Sequence, residues 1–116
     1  MKNKEKNMQL TINGKKVQLN FGVGFVRELD RFYGLSNQAG FNLGMGLTKA
    51  IPSLKSYDSA VLAEVIQCAS EPSVTLADVD ELIDNPKTDI EKLFDDVLKE
   101  LKEANAVKLA VKKLKG

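Results

Sequence analysis

Between Met8 and Leu19 the chain reads Met-Gln-Leu-Thr-Ile, Asn-Gly, Lys-Lys-Val-Gln-Leu, and no other stretch constrains the fold as tightly. Asn13-Gly14 offers two adjacent residues that tolerate positive φ, as the central positions of a type I′ turn require. A two-residue loop there sets Ile12 opposite Lys15, Leu10 opposite Val17 and Met8 opposite Leu19, so most facing pairs are apolar and share one face. A slip of one residue would turn that apolar set toward water. Downstream, Gly22-Val-Gly24 supplies a bend. Phe25, Val26, Leu29, Phe32 and Tyr33 then recur at helical spacing, with Arg27, Glu28, Asp30 and Arg31 on the other face. Gly34 stands where a helix ends in a left-handed C′ residue. The expected start is a β-hairpin feeding straight into a helix.

The rest of the chain reads as helices separated by breakers. Leu43 to Ile51 is a short apolar helical run that Pro52 closes. Gly44 and Gly46 weaken it by about 1 kcal/mol each relative to Ala, so packing or a partner must order it. Asp58 or Ser59 caps the next helix, which turns Val61, Leu62, Val65, Ile66 and Ala69 inward. Thr75 and Asp78 form an approximate capping box for a helix to Asp84, with Leu76, Val79, Leu82 and Ile83 inward and Asn85-Pro86 as its stop. The last long helix begins near the cap Asp89 and gathers Ile90, Leu93, Phe94, Val97, Leu98, Leu101 and Ala104 on one side. Beyond Asn105 the stripe of Val107, Ala110, Val111 and Leu114 is centred roughly a third of a turn away. Either the chain bends there or the terminal stripe faces something else. The expected fold is α+β, mainly α-helical: an N-terminal hairpin followed by about five helices in one small domain. Residues 1–7 read as a mobile polar arm, 8–104 as the domain, and 105–116 as a basic amphipathic segment that the core can spare.

Chemistry is excluded by what is missing. The 116 residues include no histidine, which removes the commonest general base and the commonest transition-metal ligand. Cys68, the single cysteine, excludes an internal disulfide framework and fits a reducing compartment. Its neighbours Val65 and Ala69 mark it as a small core residue rather than a nucleophile. Gly22-Val-Gly24 lacks the third glycine of a dinucleotide fingerprint, Arg27 standing in its place, so no cofactor is expected. Asp78, Asp80, Glu81 and Asp84 do not make a calcium loop, because Leu82 and Ile83 occupy a ligand position and the turn-glycine position. No metal is expected, and no apolar run is long enough to span a bilayer.

Charge is segregated along the chain. Residues 1–57 hold nine Lys/Arg against three Asp/Glu, residues 58–103 four against thirteen, and residues 104–116 four against none. Such asymmetry suits steering toward a charged partner or self-association between copies. Lys108, Lys112, Lys113 and Lys115 leave a second reading open, a small nucleic-acid-associated regulatory protein using its basic ends. The acidic helices and the lack of any arginine after Arg31 disfavour it.

Leu10-Thr-Ile-Asn-Gly-Lys, then Phe21-Gly, Phe25-Val-Arg-Glu-Leu-Asp and Tyr33-Gly34, resemble the start of the tail assembly chaperones of siphophages and prophages of Gram-positive bacteria. Phe41-Asn-Leu-Gly-Met-Gly-Leu47, Ala50-Ile-Pro-Ser-Leu54 and the acidic helix Asp89 to Leu101 continue the resemblance in order. It implies a non-enzymatic protein of the host bacterial cytoplasm, absent from the mature virion, that binds the tape measure protein and helps recruit tail tube protein through a longer frameshifted form. On that reading Phe41, Leu43, Met45 and Leu47, with Val107, Val111 and Leu114 of the terminal stripe, are the candidate partner-binding residues.

Overall fold

The hairpin forms in the register its turn dictates. In the structure, a computed structural model that describes residues 8–34 and 45–109, β1 (Met8–Ile12) pairs antiparallel with β2 (Lys15–Leu19). Met8 faces Leu19, Leu10 faces Val17 and Ile12 faces Lys15. Asn13 and Gly14 take φ of 53° and 76°, the left-handed pair a type I′ loop needs. Ile12, Val17 and Leu19 enter the core, while Gln9, Thr11, Lys16 and Gln18 stay exposed. The Asn20 carboxamide then accepts from the Gly22 amide at 3.0 Å, fixing the bend, and α1 (Val23–Phe32) follows.

Four more helices and a short strand follow α1: α2 (Met45–Lys55), α3 (Ser59–Ala69), β3 (Ser70–Glu71), α4 (Leu76–Asp84) and α5 (Ile90–Glu103). α3 is the hub, packing on α1, α2, α4 and β2, while α5 leans on α2 and α4 on β1. The caps sit where the sequence puts them. Asp58 accepts from the Val61 amide, Asp89 from the Lys92 amide, and Thr75 with Asp78 closes a reciprocal capping box. Each such cap is worth about 1 kcal/mol.

Four local expectations are corrected. Pro52 does not close α2 but lies inside it. Its exposed ring falls on the solvent side, and burial of Ala50, Ile51 and Leu54 outweighs the lost amide. α2 instead runs to Lys55 and is closed by Tyr57 just beyond it, whose φ is 62°. There the Tyr57 amide donates to Leu54 O and the Asp58 amide to Ser53 O, a Schellman closure that usually takes glycine. Asp30 does not share the solvent face of α1 with Arg27: it is 2% exposed, whereas Phe32 of the expected apolar stripe is 42% exposed. The hairpin also gains β3, which pairs Glu71 with Gln18 and Ser70 with Leu19. Two residues are too few to leave a strand signal.

The fourth correction concerns the C-terminus. Ala104 is extended, with φ −74° and ψ 130°, and residues 105–109 resume a helix in a new direction. Val107 is thereby 0% exposed and part of the central core. Of the two alternatives left open there, a bend near Asn105 is the one present, and it folds residues 105–109 back onto the core.

Candidate partner-binding surface

The candidate residues divide by depth. Leu47 is 1% exposed and Val107 fully buried, so both serve packing, and a partner reaches neither without opening the core. Met45, at the first position of α2, is half-buried. Phe41, Leu43, Val111 and Leu114 lie outside the described residues. Among the described residues the large apolar side chains that face solvent are Val23, Phe32, Tyr57 and Leu109, the last 77% exposed.

Position is imposed on α2 by a buried latch. Asp30 Oδ1 accepts from the Gly46 amide at 2.7 Å, placing a carboxylate on the first turn of α2, where unpaired amides and the helix dipole favour an anion. Gly46 permits this approach. A Cβ there would meet Asp30 Oδ1 at 3.0 Å, Leu29 Cγ at 3.2 Å and the Leu29 carbonyl carbon at 3.3 Å. The latch ties α1 to the first turn of α2. Nothing local in the sequence marks Asp30 for burial, because the amide it binds lies sixteen residues further along the chain.

A second polar cluster sits where α1, α2 and α3 meet. The Tyr33 hydroxyl donates to Glu64 Oε1 at 2.7 Å; burial, then that bond and the Glu64 charge, hold the phenol well above its ordinary range. Lys49 Nζ stands 5.3 Å from the centre of the Tyr33 ring, and Phe32 meets the same ring edge-on. Cys68 is half-buried on α3. Burial, then the Glu28 and Glu64 carboxylates, push its thiol up to about 11, so at neutral pH it is protonated and a poor nucleophile. The cluster ties the helices together and offers no activated group.

The acidic side chains of α4 border an open groove of about 750 Å³, with Thr11, Asn13 and Gly14 of the hairpin on one wall and Asp78, Asp80, Glu81 and Asp84 on the other. Asn13 Nδ2 donates to Asp78 Oδ1 at 3.3 Å across its end. No described group of three or more Cys, Asp or Glu has the geometry to hold a metal ion. Gly22 and Gly24 sit at the start of α1, behind a strand of an antiparallel hairpin rather than a parallel βαβ unit. Among the described residues no helix is long and apolar enough to cross a membrane.

A mainly helical α+β domain on an N-terminal hairpin, with the buried Asp30 engaged in a latch and Tyr33 bonded to Glu64 across two helices, is the class this fold defines. The sequence matches the family model described as phage tail assembly chaperone protein, TAC, over residues 9–115, and the chain belongs to that family. Its role is therefore in phage tail assembly, and a chaperone family points to a non-enzymatic one. No curated protein and no solved structure gives a significant match.

Proposed function

We propose that this protein binds the tape measure protein of a siphophage, keeps it in solution and helps bring tail tube subunits to it during tail morphogenesis. The family match from the hairpin to residue 115 carries this reading. A tape measure protein is long and aggregation-prone, and a small helical domain covers exposed apolar helices by offering short apolar segments of its own. Phe41 and Leu43 before α2, Met45 at its first position, and Val111 and Leu114 near the C-terminus are the contact residues on this reading. Leu47 and Val107 act beneath them as anchors. Tube protein is engaged through a longer frameshifted form, copies of the chain associate with one another, and the protein works in the host cytoplasm and is left out of the finished tail. This reading calls for no membrane partner, and the acidic helices disfavour nucleic acid.

Co-expression with the tape measure protein of the same phage tests this. The soluble fraction of the tape measure protein should rise and the two should co-purify. A tape measure protein that stays insoluble and alone would overturn the reading. Retention on DNA with a steep salt slope would favour the nucleic-acid alternative, since releasing several phosphate counterions gives that slope.

A further inference from the structure

The sheet has two unlike edges. β3 is blunted: it is two residues long, carries Glu71 and is followed at once by Pro72, all devices that discourage another strand from pairing. β1 has none of them. Met8–Ile12 contain no charge, no proline and no glycine, and the five residues pair with β2 without a bulge.

Among the described residues no strand pairs with the side of β1 away from β2, and the groups on that side can be identified residue by residue. Asn20 N donates to Ala69 O and Gln18 pairs with Glu71, so even-numbered positions of β2 direct their backbone groups away from β1. Opposite residues of an antiparallel ladder share that alternation. Gln9 and Thr11, facing Gln18 and Lys16, therefore aim N–H and C=O outward. Both residues are exposed, and their outward groups have no backbone partner among the described residues. Thr11 also lines the groove whose far wall is α4. Asp80, Glu81 and Asp84 on that wall are exposed and in no ion pair among the described residues.

We propose that the β1 edge takes an extended segment of a partner polypeptide as an added strand, and that the α4 carboxylates select segments bearing lysine or arginine. Strand addition gives affinity through main-chain hydrogen bonds to Gln9 and Thr11, while side chains at alternate positions give specificity. A helical partner cannot satisfy those outward groups. A nucleic acid or an acidic segment is repelled by the wall, whereas a basic one is complementary to it. The proposal goes beyond the tape measure reading, because it holds whichever protein supplies the strand.

The test uses the whole chain, labelled with nitrogen-15, and a synthetic heptapeptide that alternates lysine with valine and threonine. Its addition should shift the Gln9 and Thr11 amides and slow their exchange with solvent. The combined change Asp80→Asn, Glu81→Gln and Asp84→Asn should weaken binding by about tenfold, as loss of a complementary charged wall does. Thr11→Pro should abolish it while leaving the rest of the spectrum in place, since an edge strand tolerates proline where the amide points outward. Unmoved Gln9 and Thr11 amides, or equal binding of a peptide with glutamate in place of lysine, would overturn the proposal. The three carboxylate changes are on the surface, so that arm stands even where Thr11→Pro disturbs the hairpin.

Discussion

α1 and α2 lie against each other and against α3, yet they are helices for different reasons. α1 is written locally: a bend at Gly22, a strong apolar stripe through Phe25, Val26 and Leu29, and a stop at Gly34, whose φ is 72°. α2 runs against local preference. It carries Gly46 in its first turn and Pro52 in its interior, and it is closed by a tyrosine in the left-handed region. Glycine and proline together cost about 4 kcal/mol of helix propensity, and left-handed Tyr57 adds about 1–2 kcal/mol. What offsets this is tertiary: full burial of Leu47, Ala50, Ile51 and Leu54, the Asp30 latch, and the Tyr57 ring edge-on to Phe94 at 5.1 Å. Each buried leucine or isoleucine contributes about 1.5–3 kcal/mol, so packing wins.

The sharpest way to break this contrast is to remove packing from each helix in turn. Leu47→Ala should destabilise by about 2–5 kcal/mol, the range for a buried leucine. Phe32→Ala on α1, at an exposed position, should fall well below that, as chemical denaturation of the two variants would show. Equal losses would mean that α2 is no more packing-dependent than α1.

Truncation after Ala104 asks whether the terminal segment belongs with α2 in needing the core. It removes fully buried Val107 and should cost about 1.5–3 kcal/mol, visible as a lower melting temperature. An unchanged melting curve would restore the view that the core can spare this segment.

Two glycine substitutions separate space from torsion. Gly46→Ala should cost about 1–3 kcal/mol through the contacts with Asp30 and Leu29, set against a gain of about 1 kcal/mol in helix propensity. Gly14→Ala meets no atom within 4 Å and should cost only the left-handed strain, about 1–2 kcal/mol. If Gly46→Ala stabilised the protein, the close approach of α1 and α2 would be looser than described.

Tyr57→Gly relieves strain and forfeits the aromatic pair, which is worth about 0.5–1.5 kcal/mol, so its net effect should be within about 1 kcal/mol. Tyr57→Ala keeps the strain and loses the pair, and should be the worse of the two in the same melting assay. The smallest effect concerns Cys68 on the helix that supports both α1 and α2. Its thiol is raised from 9.0 to about 11 in the fold, so the folded state holds the proton more tightly, and that contribution to stability is complete below pH 9 and lost as pH climbs through about 11. Cys68→Ser should flatten that part of the pH profile of stability, and an identical profile would remove the thiol from the account.

The acidic groove was half legible. Asp78, Asp80, Glu81 and Asp84 stand out in the sequence as one acidic helix, but nothing local places that helix beside Thr11 and Asn13, because the separation along the chain is too long for any pattern to report. The latch was hidden in the same way: Asp30 reads as one more charged residue of α1 until α2 arrives with an amide to bind it.

By itself the sequence determined the hairpin and its register, the helix starts at Asp58, Thr75 and Asp89, the stop at Gly34 and the change of stripe direction after Asn105. Turn chemistry, capping and periodicity act over a few residues and need no distant partner. Only the tertiary structure decided that α2 continues through Pro52, that Tyr57 takes a glycine's place, that Asp30 goes inside while Phe32 stays out, and that Val107 returns to the core. In each of these, burial or a hydrogen bond to a residue far along the chain outweighs a local preference of a few kcal/mol.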